Sequence, residues 1–190
     1  MKRTLPISMV ALLITLLLTA CSTASGEPPE HYQERASTAL MEARGDAEQL
    51  EEALAIYAEG LEEHPDNPEL RNGRAQLLVN LGRYEAAKQD LDVLYEGELH
   101  KEGMLLRCML NERLEGATDD ALACYEEVEN AYAGEASDPP DANHILAARL
   151  SGSPQAEALL QEWQASEKAD PMLGETLKME REGLIQQFLP

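Results

Sequence analysis

Hydrophobic positions in this chain fall at helical spacing, and between residues 53 and 128 they recur with a fixed step. Ala53, Ala87 and Ala121 are 34 residues apart. Four positions after each alanine comes a large side chain, Tyr57, Leu91 or Tyr125, and three further on lie Gly60, Leu94 and Val128. Gly82 and Gly116, five residues before the second and third alanines, keep the same step. A fixed period of roughly 20–50 residues marks stacked helical hairpins. The physical basis is close packing: a small residue lets two antiparallel helices approach, and the bulky one a turn later fills the space beyond.

The apolar stripes predict helices over about 30–44 (Tyr32, Ala36, Ala39, Leu40, Ala43), 48–63 (Leu50, Ala53, Leu54, Tyr57, Leu61) and 68–81 (Leu70, Ala75, Leu77, Leu78). Further helices are predicted over 84–96, 101–114 and 118–132. Gly45-Asp46 breaks the first, Pro65 ends the second, and Pro68 suits the first position of the third. Gly97 or its neighbours should end the fourth. The fifth carries Met104, Leu105, Leu106, Cys108, Met109, Leu110 and Leu114, more than one buried stripe needs. Pro139-Pro140 forbids a helix across 134–141. Three short helices are predicted beyond it, about 142–150, 154–168 and 172–188, with Leu159, Leu160 and Trp163 as core.

The segment Ala53-Leu-Ala-Ile-Tyr57-Ala-Glu-Gly60-Leu-Glu-Glu-His-Pro65 resembles the second helix of a tetratricopeptide repeat (TPR), and Leu81-Gly82-Arg-Tyr84-Glu-Ala-Ala87 resembles its inter-helix turn. The resemblance covers about residues 45–128 and weakens beyond 133. It implies an all-α fold: a right-handed solenoid of antiparallel helix pairs, about three repeats, then a degenerate fourth repeat and a capping helix. Two departures stand out. Gly45 lies eight residues before Ala53 rather than five, which predicts a longer first turn, and Leu99 replaces the closing proline of the second repeat.

The N-terminus carries an address. Lys2 and Arg3, the apolar stretch Leu5–Leu18 and small residues at the cut read as a signal peptide over residues 1–20. Leu18-Thr19-Ala20-Cys21 resembles a bacterial lipobox, which implies that Cys21 becomes the acylated (palmitate-bearing) first residue of a lipoprotein. The alternative is an ordinary signal peptide ending near a cysteine. Ser22 in place of Asp resembles the outer-membrane sorting pattern of a Gram-negative host, with the protein facing the periplasm. Residues 21–29 are then a polar linker and 30–190 one helical domain.

The 190-residue chain has a formal charge of −21, and losing Lys2 and Arg3 with the signal peptide makes it −23. That balance argues against nucleic acid and against lying flat on anionic lipid. It suits a basic protein partner, or simply keeps a tethered protein soluble.

Catalytic and cofactor patterns are missing. His31, His64, His100 and His144 lie far apart with no ligand spacing, Ser151-Gly152-Ser153-Pro154 reads as a turn, and no Gly-rich phosphate loop appears. Neither an enzyme, a cofactor nor a small-molecule substrate is expected. Binding is the stronger case. With Pro68 as first position, the TPR frame turns Asn72, Gln76, Val79 and Asn80 inward, and in the next repeat Leu106, Leu110, Arg113 and Leu114. Asn and Gln in a groove can hydrogen-bond an extended peptide, and Leu106 and Leu110 would offer an apolar pocket. Alternatively those two leucines pack against C-terminal helices folded into the groove. The basic residues of the TPR clamp for acidic chain termini are missing.

These features imply a membrane-anchored scaffold or adaptor in the bacterial envelope. Similar family members help assemble pili, secretion pores, outer-membrane barrels or cell-wall complexes. The alternative is an acidic immunity-type inhibitor of a basic toxic enzyme in the periplasm.

In the repeat frame Cys108 and Cys124 take mirror positions about Gly116 on the two helices of one hairpin. They form a disulfide, worth about 3 kcal/mol for a loop of this size, or stay as two buried thiols. No Cys-x-x-Cys is present for redox catalysis. Thiol titration of the unfolded, unreduced chain separates the two: none of this pair free for the disulfide, both free for the alternative.

Overall fold

The computed structural model describes residues 26–95, 100–135 and 137–190. The signal peptide, Cys21 and its expected acylation, the helix stop at Gly97 and the substitution at Leu99 lie outside the described residues. Ten helices are described, with no strand among the described residues: α1 (Pro29–Ala43), α2 (Ala47–Glu63), α3 (Pro68–Asn80), α4 (Tyr84–Tyr95), α5 (Lys101–Glu115), α6 (Asp119–Gly134), α7 (Ala142–Ser151), α8 (Ala156–Gln164), α9 (Pro171–Thr176) and α10 (Arg181–Phe188). Each helix through α8 packs on the one before it, the arrangement of a TPR-like all-α solenoid.

The 34-residue frame is the packing frame. Ala53, Ala87 and Ala121 are buried, as are Tyr57, Leu91, Tyr125, Gly60, Leu94 and Val128. Turn geometry explains the glycine at position 82. It takes φ 68°, a left-handed conformation that glycine reaches without the Cβ penalty. The Arg83 amide then reaches back to the Leu78 carbonyl at 2.8 Å, satisfying the end of α3.

The first inter-helix turn is not longer than the others. It spans residues 44–46, and the second spans 81–83. The additional residues belong to α2, which begins six positions before Ala53, whereas α4 begins three before Ala87. Asp46 makes this start possible, its carboxylate accepting from the Glu48 and Gln49 amides at 3.1 Å each.

Two clusters of buried side chains form the core. One joins α1, α2 and α3 through Tyr32, Ala53, Tyr57, Leu61 and Leu70. The larger one starts at Ala75 and Leu78 on α3 and continues to Leu189. Within it, Cys108 on α5 and Cys124 on α6 are joined by a disulfide, with Cα atoms 5.7 Å apart. Asp90 on α4 is buried but bonded: Arg74 forks onto it at 2.7 and 2.6 Å, and Arg71 reaches it at 3.2 Å.

Beyond residue 134 the structure departs from the sequence pattern. The helix predicted over 172–188 is two helices, α9 and α10, separated by a turn that ends at an extended Glu180. A straight helix would set Leu177 and Leu189 about 18 Å apart along its axis. The break brings both into the same core, 1% and 0% exposed. The helix predicted over 154–168 is also shorter, ending at Gln164.

Gly60 is a sensitive test of the close approach. A Cβ there would lie 2.8–3.0 Å from Tyr32 Cγ, Tyr32 Cβ and Leu70 Cδ1. Alanine in a helix interior normally gains about 1 kcal/mol over glycine, but overpacking costs about 1–3 kcal/mol, and Tyr32 Cβ cannot yield without moving α1. Gly60→Ala is therefore expected to lower the urea midpoint, a net loss of up to about 2 kcal/mol. An unchanged or raised midpoint would contradict the packing account.

Candidate functional site

The first helices of the second and third hairpins, α3 and α5, bound the groove. Between them lies an open cavity of about 340 Å³. Its apolar floor is Leu106 and Leu94, and Asn72 and Gln76 face it from α3. Neither side-chain amide has a hydrogen-bond partner among the described residues. Glu69 and Glu102 stand at its edges, in the first turns of α3 and α5.

Cations on these helices point elsewhere. Arg71 and Arg74 are engaged by Asp90 on α4. Arg107 pairs with Asp92 at 2.7 Å and lies 4.1 Å over the Tyr95 ring. Lys101 pairs with Glu135 at 2.5 Å. The cavity is thus apolar at its floor, amide-bearing on one wall and acidic at its edges.

Further along α5 the C-terminal segment packs against the helix and occupies part of the groove, with exposed Arg113 lining a second surface cavity beside Arg181, Ile185 and Leu189. Leu110 is fully buried in the core cluster that contains Leu184, Ile185 and Leu189. Arg113 Nε donates to the Leu189 carbonyl at 3.1 Å, with its guanidinium 5.2 Å from the Tyr84 ring, and the Tyr84 hydroxyl donates to the Pro190 carbonyl. Beneath this contact sits a charged knot. Arg181 on α10 donates from Nε and Nη2 to Glu112 at 2.7 and 3.0 Å, and Glu112, 8% exposed, also accepts from the Tyr125 hydroxyl at 2.8 Å. Burial, and then the neighbouring carboxylate, push the Tyr125 pKa well above its usual 10.0, so the phenol stays a donor.

The six positions assigned to partner binding therefore divide. Asn72, Gln76 and Leu106 share the open cavity. Asn80 is exposed near the end of α3 but does not line it. Arg113 is engaged by the Leu189 carbonyl, and Leu110 is buried in the core cluster that also takes in Leu184, Ile185 and Leu189, whereas Leu106 lines the open cavity. Arg181, Tyr84 and Leu189 escaped sequence reasoning; the only signal was the excess of apolar residues on α5. Among the described residues no three of His, Cys, Asp and Glu gather as a metal site would need, and no helix is long and apolar enough to cross a membrane.

Removing one partner of a buried ion pair leaves an uncompensated charge, at about 3–5 kcal/mol when both are fully buried. Arg181 is a quarter exposed, so Arg181→Met is expected to cost about 2–4 kcal/mol in urea unfolding. The double variant Glu112→Leu/Arg181→Met should recover part of that loss, the rest being the Tyr125 hydroxyl left without its acceptor. A single variant indistinguishable from the parent would contradict the role of the pair.

Compared with known proteins, residues 46–94 match the family described as Tetratricopeptide repeat, a stretch that runs from the cap of α2 to the last turn of α4. No curated protein and no solved structure matches the chain. Residues 46–94 are thus similar to a tetratricopeptide repeat within a TPR-like all-α solenoid, and such repeats indicate a protein–protein interaction module.

Proposed function

We propose that this chain is a lipid-anchored adaptor of the bacterial envelope that holds a partner protein in the open half of its groove. The observation that carries this reading is the cavity between α3 and α5, where Asn72 and Gln76 stand without hydrogen-bond partners among the described residues, beside the Leu106 floor. A peptide laid there would satisfy its backbone groups and bury apolar surface at once.

The membrane half of the reading is supported by Leu18-Thr19-Ala20-Cys21 after its basic and apolar leader, with acylation at Cys21. A disulfide such as Cys108–Cys124 belongs to an oxidising compartment, consistent with export to the periplasm. Ser22 after Cys21 favours retention at the outer membrane.

A second reading is favoured by the charge of −21. A protein this acidic could neutralise a basic toxic enzyme through its outer surface, and its binding would be strongly salt-dependent.

In-cell crosslinking at native expression separates the two. An adaptor is expected to capture several envelope proteins, lost together in Asn72→Ala/Gln76→Ala/Leu106→Ala, and to take up labelled palmitate unless Cys21 is replaced by Ser. One basic partner, indifferent to the triple change and released by salt, would establish the inhibitor instead. Capture of no envelope protein would sink the adaptor reading.

A further inference from the structure

We infer that the open half of the groove selects a basic-flanked apolar segment: a protein chain that seats one apolar side chain on Leu106 and Leu94 with lysine or arginine beside it. This rests on the groove reading above and adds the chemistry of the partner.

Charge supplies the first argument. The cavity is edged by two carboxylates, Glu69 and Glu102, both exposed and neither in an ion pair among the described residues. Four cations of the same two helices are held by acids elsewhere, Arg71 and Arg74 by Asp90, Arg107 by Asp92 and Lys101 by Glu135, and Arg113 lies at the far end of α5 against the Leu189 carbonyl. An opposing field comes from the N-termini of α3 and α5, each equivalent to roughly +0.5 charge. Two full carboxylates outweigh two half-charges, which leaves the cavity mouth at about −1 with His100, which also lines it, counted as neutral. The chain's overall −21 has the same sign and would steer a basic segment toward it.

The second argument is shape and polarity. Leu106 and Leu94 give apolar area without competing polar groups, and the amides of Asn72 and Gln76 can each donate to and accept from a peptide backbone. At about 340 Å³ the space is at the small end for a ligand pocket, so it suits an anchoring side chain better than a large cofactor. The chain's own C-terminal residues are not the occupant, because Leu189 and Pro190 are docked at Arg113 and Tyr84, on the other half. An acidic or phosphorylated segment would meet Glu69 and Glu102 head on.

A random dodecapeptide phage library selected on the full chain tests this. Enriched sequences are expected to carry an apolar residue with Lys or Arg close on either side. The corresponding synthetic peptides should bind Glu69→Lys/Glu102→Lys about tenfold more weakly than the parent, or worse. They should also fail on Gln76→Trp, an exposed change that fills the cavity mouth without altering charge. Peptides blocked by Gln76→Trp but neutral or acidic would leave the groove standing and overturn the charge selection. Peptides indifferent to Gln76→Trp, or no enrichment at all, would overturn the groove reading itself.

Discussion

The structure turns on the breadth of the apolar surface of α5. Leu105, Cys108, Met109 and Leu110 are buried, and Met104, Leu106 and Leu114 are half covered, so the helix is apolar around much of its circumference. In a stack of hairpins the first helix of each repeat turns one face to its hairpin mate and another to the open groove. Leu110 on that groove face cannot be left in water without loss, since burying a leucine is worth roughly 1.5–3 kcal/mol. Something must cover it. The chain supplies the cover by bending after α9 and bringing Leu184, Ile185 and Leu189 back onto the third hairpin.

That return also decides where the charges go. Closing α10 over α5 takes Glu112 out of solvent, and a buried carboxylate is tolerable only when paired and hydrogen-bonded. Arg181 and the Tyr125 hydroxyl together satisfy it, one arriving with α10 and the other standing on α6. The knot therefore joins the cover to both helices of the third hairpin. Apolar burial provides the stability here, and the ion pair satisfies the charge that α10 covers. The groove is thereby divided, with the half near Arg113 partly occupied by the chain and the half near Asn72 and Gln76 open.

Legibility in the sequence followed the locality of the cause. The 34-residue step from Ala53 to Val128 is visible because each repeat solves the same packing problem, and every alanine and bulky residue of that frame is buried. Helix ends were readable wherever a proline, glycine or capping side chain acts within a few residues, as at Pro68 and Gly82. Gly45 misled, because its spacing to Ala53 reflects additional helix at the start of α2 and not a longer turn. The α9–α10 break was hidden for a different reason. Leu173, Leu177, Leu184 and Phe188 keep helical spacing straight through it, and only the distant core containing Leu189 makes a bend preferable. Occupancy of the groove was equally hidden, since Arg113 meets Leu189 across 76 residues of chain. Local pattern carries no signal for such a pairing. The excess of apolar residues on α5 revealed that a cover was needed, without saying what it was.

Hydrogen exchange on the full chain, resolved to individual amides, tests the occupied half of the groove most directly. If α10 is an integral cover, the amides of Leu184 and Leu189, bonded to the carbonyls of Glu180 and Ile185, should exchange nearly as slowly as core amides of α5. Exchange there at the rate of an unprotected helix, with α5 still protected, would mean that α10 is not an integral cover of the third hairpin and that Leu110 is available to a partner.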